Sequence, residues 1–145
     1  MHRDLKLENV MVDQHGGEMI CKITDFGFAA EVSSEKESSM VGTPIYMAPE
    51  VLQKRQYDNK VDVWALGVMA CELLFAHTPF TGTSREQLFN KIKYEQPDLT
   101  GGPKRMLNKG REARNFIKRC LEKDPAKRPY PDELLRDPWF VAMID

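Results

Sequence analysis

Residues 61–75 place Val61, Val63, Trp64, Ala65, Leu66, Val68, Met69, Ala70, Cys71, Leu74 and Phe75 on almost every side of a helical wheel. Such a helix has no polar face to turn to water, so other elements must surround it. It falls short of the ~20 apolar residues that span a bilayer and reads as the central helix of a soluble core. A chain of 145 residues, 41% hydrophobic and 30% charged, suffices for one domain built around it.

The formal net charge of −1, from 21 basic and 22 acidic residues, gives no long-range pull toward nucleic acid or an anionic membrane. Cys21, Cys71 and Cys120 lie too far apart for a zinc site or a redox dithiol. Their odd count suits a reducing compartment. With no apolar signal region at the start of the sequence, the expected location is cytoplasmic or nuclear.

The first thirty residues read as β-rich and the remainder as helical. Val10-Met11-Val12 and residues 19–23 flank a turn whose Gly16 and Gly17 can take positive φ, which predicts a hairpin. Residues 28–47 show little periodicity and read as a mobile surface loop, with Ser33, Ser34, Ser38 and Ser39 among its residues. Ser84 and Gln87 form a capping box for a helix that turns Leu88, Phe89 and Ile92 inward. Residues 96–110 read as loop. Ala113, Phe116, Ile117, Cys120 and Leu121 make one apolar stripe of a further helix. A last short helix is predicted over residues 133–136, with Trp139 and Phe140 closing the core. The fold class is therefore mainly α with a small β-hairpin.

Four short motifs carry chemistry. His2-Arg3-Asp4-Leu5-Lys6, followed by Asn9, brings a carboxylate, an ammonium and a carboxamide onto one loop. Phosphoryl transfer needs those groups: a carboxylate to orient the attacking hydroxyl, a cation near the transferred group, and an oxygen ligand for magnesium. Taken alone, such a loop is as often a solvated surface. Asp25-Phe26-Gly27 follows the hairpin and offers a magnesium ligand or an ordinary turn. Gly42-Thr43-Pro44 with Ala48-Pro49-Glu50 is the third motif, and Asp62 with Trp64 and Gly67 the fourth. An acid at the start of a buried helix must be paired or hydrogen-bonded. His15 and His77 each stand alone and read as polar surface or helix-end residues.

In order and spacing, these motifs resemble the C-terminal lobe of the eukaryotic protein kinase family, over the whole chain through Arg128. The resemblance implies a serine/threonine kinase that transfers the γ-phosphate of ATP, with Mg2+, to Ser or Thr hydroxyls of a protein substrate. Asp4 would then be the catalytic base. Lys6 would contact the transferred phosphate and bridge to Thr43, and these two residues favour serine/threonine over tyrosine specificity. Asn9 and Asp25 would hold magnesium, while His2 and Phe26 would pack in the core. Arg3 would pair with a phosphate on the activation loop, at Ser39 or else Ser38, which orders residues 29–43 and implies an upstream activating kinase. Glu50 and Arg128 are expected to form a buried ion pair, and Asp62 to accept N–H groups of His2 and Arg3. Glu8 is either a solvated acid or a contact for basic substrate residues.

The sequence also departs from the family. Its glycine-rich phosphate loop, phosphate-binding lysine and partner glutamate lie upstream of the catalytic loop, and here only Met1 precedes His2. Gly16-Gly17 and Gly101-Gly102 lack the spacing to replace the loop. Residues 1–145 therefore read as a partial kinase domain, from the catalytic loop to the C-terminal end, with the N-terminal lobe absent. The absence of the helix before the catalytic loop predicts an exposed flank on the 61–75 helix. Two readings follow: a truncated catalytic lobe, inactive by itself, or a catalytically incompetent binding module that keeps the kinase-lobe surface.

Overall fold

Chain order begins with a single 3-10 turn, Leu7–Asn9, that runs straight into a hairpin of β1, Val10–His15, and β2, Glu18–Ile23. The computed structural model describes residues 1–31, 38–101 and 110–144. The strands are antiparallel, with Val10 opposite Ile23 and His15 opposite Glu18. A two-residue turn joins them, and Gly16 and Gly17 take φ of 61° and 89°, a conformation in which a side chain would be strained. The strands thus run closer to the turn than residue type alone suggested.

A second 3-10 turn, Pro44–Tyr46, and α1, Pro49–Leu52, follow. Both occupy or adjoin the segment expected to be plain loop, and each starts with a proline whose fixed φ suits a first helical position. Residues 32–37 of that expected loop, with Ser33 and Ser34, lie outside the described residues. Next come α2, Lys60–Phe75, and α3, Arg85–Tyr94, capped by Ser84 Oγ, which accepts the Gln87 N–H at 3.1 Å. Then follow α4, Gly110–Cys120, α5, Pro131–Leu134, and α6, Pro138–Ile144. The last short helix sits at α5, two residues earlier than predicted. Pro131 starts it, and the Glu133 carboxylate accepts the Tyr130 N–H at 2.5 Å. Pro138 then opens a separate helix. Of the predicted 96–110 loop, residues 102–109 lie outside the described residues.

The core gathers around α2, where Trp64, Val68 and Cys71 are fully buried. The Trp64 ring stacks on Phe80 at 5.8 Å. α4 crosses α2 at Gly67, where an added Cβ would lie 2.7 Å from the Cys120 Cβ. From α6, Trp139 and Phe140 pack on Phe116 at 4.8 and 5.0 Å. Only Leu73 of α2 is exposed, with Leu66 and Leu74 partly covered, so the expected bare flank shrinks to one side chain. α4, the 3-10 turn Pro44–Tyr46 and Phe80 supply much of the cover. A larger group of exposed apolar side chains lies on the hairpin instead, at Met11, Val12, Met19, Ile20 and Ile23. Phe26 belongs to that surface too. It touches the edge of the buried His2 ring at 4.9 Å but is 62% exposed, so it is not the core residue it was expected to be.

Candidate active site

Asp4 is buried, and its carboxylate is fixed from several directions. Oδ1 accepts the Thr43 N–H at 3.1 Å and the Thr43 hydroxyl at 2.9 Å. Lys6 Nζ donates to the same Thr43 Oγ1 at 2.9 Å and lies 3.5 Å from Asp4 Oδ2. Carboxylate, ammonium and hydroxyl thus form one closed network on a loop and the segment opposite. Gly42 makes the approach possible: its φ is 104°, and a Cβ there would sit 2.5 Å from the Arg3 carbonyl oxygen.

The loop that carries Asp4 is held from below by α2. Asp62, in the first turn of α2, accepts the His2 N–H at 2.7 Å and the Arg3 N–H at 2.9 Å, one on each carboxylate oxygen. These two charge-assisted bonds hold Arg3 at a φ of 71°, a strained value for a residue with a side chain. His2 Nδ1 accepts the Asp4 N–H at 3.2 Å, so its hydrogen sits on Nε2 and points at the Thr24 carbonyl, 2.9 Å away. One buried ring therefore ties the Asp4 loop to the end of β2.

Asn9 is also buried. Its amide nitrogen donates to the Asp4 carbonyl at 2.9 Å and lies 3.4 Å from Asp4 Oδ2. A carbonyl can only accept, so the nitrogen must face Asp4 and the amide oxygen is left for another partner. Asp25 lies beyond β2 at φ 59°, exposed, with Oδ1 accepting the Gly27 N–H at 3.2 Å. A carboxamide oxygen and carboxylate oxygens are the hard donors that magnesium takes. Among the described residues no three His, Cys, Asp or Glu side chains form a ready-made metal cage.

Arg3 Nε donates to the Phe28 carbonyl at 2.5 Å, and Nη1 donates to the Ser39 hydroxyl at 3.1 Å. The Tyr57 hydroxyl lies 3.4 Å from Arg3 Nη1 and donates to the Ser39 carbonyl at 2.7 Å. On the far side of α2, Arg128 is buried and bidentate: Nη1 and Nη2 donate to the two Glu50 oxygens at 2.6 and 3.0 Å. It also donates to the carbonyls of Lys60 and Glu122, at 3.1 and 2.9 Å.

One residue near the site escaped the sequence reading. The Tyr46 hydroxyl donates to Glu72 of α2, and burial first, then this bond, pushes its ionisation above the usual tyrosine range. Glu8 adds to the negative field at Tyr46. The available signal was Glu72 itself, a charge near the end of an otherwise apolar helix.

A protein kinase domain family description matches residues 1–140. The serine/threonine-protein kinase CLA4 of Eremothecium gossypii is 38% identical over 153 aligned positions, covering this whole chain. The serine/threonine-protein kinase pakG of Dictyostelium discoideum is 33% identical over 147 positions, covering 99% of the chain. The chain spans only 18% and 12% of the lengths of these two relatives.

Proposed function

This chain belongs to the protein kinase family, and from that premise we propose that it is the catalytic-loop lobe of a serine/threonine kinase. The reaction is transfer of the γ-phosphate of ATP to Ser and Thr hydroxyls of a protein. The observation that carries this reading is the closed network of Asp4, Lys6 and Thr43. Asp4 is held rigidly enough to orient a substrate hydroxyl and accept its proton, and Lys6 places a positive charge beside it where charge builds on the transferred group. Asn9 and Asp25 would hold magnesium, which supplies charge neutralisation of the phosphates when bound. Positioning and electrostatics provide nearly all of the catalysis in this reaction class, so the rigidity of the Asp4 loop on Asp62 is part of the function.

Regulation is read from Arg3. A phosphate on Ser39 would add about −1.5 to −2 charge at a hydroxyl already within hydrogen-bond distance of the guanidinium. That fixes the Ser39 segment on Arg3 and Tyr57, and it implies an upstream activating kinase. Ser38 is the neighbouring alternative. In the full-length protein, Ser39→Ala should lower activity wherever the wild type is phosphorylated there. Unchanged activity would remove Ser39 as the switch.

These 145 residues contain no Gly-x-Gly-x-x-Gly sequence to cover a nucleotide, so a polypeptide of these residues alone is expected to be inactive. The competing reading, a binding module without catalysis, draws on the exposed apolar hairpin. One assay separates them: radiolabelled ATP with a basic Ser/Thr peptide. In the full-length protein, Asp4→Asn should cost about 10²–10⁴-fold in turnover with the fold intact. Equal activity of the two would reject Asp4 as the base, and no activity in either would favour the binding module. Robust transfer by the 145 residues alone, abolished by Asp4→Asn, would overturn the expected inactivity.

A further inference from the structure

Lys123 lies just past α4 and is used by none of the chemistry above. Its ammonium donates to the Ile92 carbonyl, lies 3.5 Å from the Lys91 carbonyl, and sits over the Phe80 ring at 4.1 Å and the Trp64 ring at 5.2 Å. Both carbonyls belong to the last turn of α3: that of Lys91 also accepts the Glu95 N–H at 2.9 Å, while that of Ile92 lies where helix geometry leaves an acceptor without an intrahelical donor. α3 is otherwise lightly held, with Ile92 its one fully buried side chain and Leu88 and Phe89 half-covered. The Lys123 side chain also lines an open cavity of about 150 Å³ with Gln96, Pro97, Lys118, Leu121 and Glu122, room enough for a small acyl group.

We propose that Lys123 is an acylation site whose modification loosens the C-terminal end of α3. The acyl donor is a thioester. The neutral Nζ attacks the thioester carbonyl, an N–C bond forms, the C–S bond breaks, the thiolate leaves, and the amine gives one proton to solvent. The product amide has one N–H in place of three donors and no charge for the two rings. Reaction needs the unprotonated amine. Burial, followed by the Arg128 guanidinium, holds Lys123 down at about 8 against the opposing pull of Glu122 and Glu95.

The test is to treat the folded chain with a limiting small acetyl thioester at pH 8 and follow each lysine by mass spectrometry. Lys123 should acetylate several-fold faster than Lys118 on the same cavity rim and exposed Lys54. A rate at or below theirs overturns the site. Backbone hydrogen exchange supplies the second measurement. Acetylated protein and Lys123→Gln should exchange the Tyr94 and Glu95 amides several-fold faster than wild type, with Lys123→Arg close to wild type. Exchange unchanged in acetylated wild type overturns the loosening, even if the glutamine variant fails to fold.

Discussion

Arg128, at 1% exposure, donates to both Glu50 oxygens and to two carbonyls, whereas Met19, an apolar residue, stands 74% exposed on β2. The shell around α2 buries charges and completes their hydrogen bonds. The hairpin pairs its own backbone and leaves both faces of β2 uncovered. A buried charge is tolerated only with its partners in place, so such charges fix geometry as well as cohesion. A bare two-stranded hairpin is marginal in water. Here it is anchored at its base, where Thr24 donates its N–H to the Asn9 carbonyl at 2.9 Å and accepts from His2. The machinery that must not move is therefore tied to α2, and the surface that can be altered is on the strands.

The harshest way to break this contrast is to strip a partner from the shell. Arg128→Met leaves the Glu50 carboxylate buried without its cation and should cost about 3–5 kcal/mol, measured by chemical denaturation. A loss below 1 kcal/mol would mean that water reaches Glu50. Gly67→Ala comes next. Its Cβ would meet the Cys120 Cβ at 2.7 Å and Leu121 at 3.0 Å, so α2 and α4 must part. Overpacking of this kind costs about 1–3 kcal/mol, and the helix preference of alanine over glycine returns up to ~1 kcal/mol.

How far these features could be read from sequence divides along the same line. α2 was legible within one residue because all-round apolarity leaves a helix only one place to go. The Glu50–Arg128 and Asp62–His2 contacts were legible through the family resemblance and not from spacing, since their partners lie 78 and 60 residues apart. α1 and the 3-10 turn Pro44–Tyr46 were not, because elements of three or four residues have no periodicity to detect. Phe26 was misplaced for a different reason: an aromatic residue next to a buried histidine implies a core position, yet nothing among the described residues covers its outer face. Tyr46 with Glu72 needed the packing of a turn against a helix, which no local pattern encodes.

A gentler probe of the shell is pH. Lys123, held at about 8 against an ordinary 10.5, carries fewer protons folded than unfolded between those values, so stability rises with pH from 8. Cys71 and Cys120 act the other way. Burial pushes both up to about 12 from 9.0, so above pH 9 the unfolded chain loses protons that the folded chain keeps, and stability falls. The raised Tyr46 adds to that decline at still higher pH. The unfolding free energy should therefore peak near pH 9. Lys123→Met should flatten the rise between pH 8 and 9 and leave the fall in place. A rise that survives the substitution would assign it to another group.

The smallest effect on stability is expected on the hairpin, and there the contrast is sharpest. Met19 and Ile20 are 74% and 44% exposed, so a charge at either position loses little packing and need not be desolvated. Met19→Lys and Ile20→Lys should each change the unfolding free energy by less than about 0.5 kcal/mol. Their effect should appear in association instead. Met11, Val12, Met19, Ile20, Ile23, Phe26 and Phe28 expose apolar surface on or next to the hairpin, and a connected apolar surface promotes self-association or partner binding. Sedimentation of the 145-residue chain should show less self-association for the double variant than for wild type at equal concentration. A stability loss above 1 kcal/mol would show that the hairpin is part of the packed body after all, because only a buried side chain makes lysine that costly.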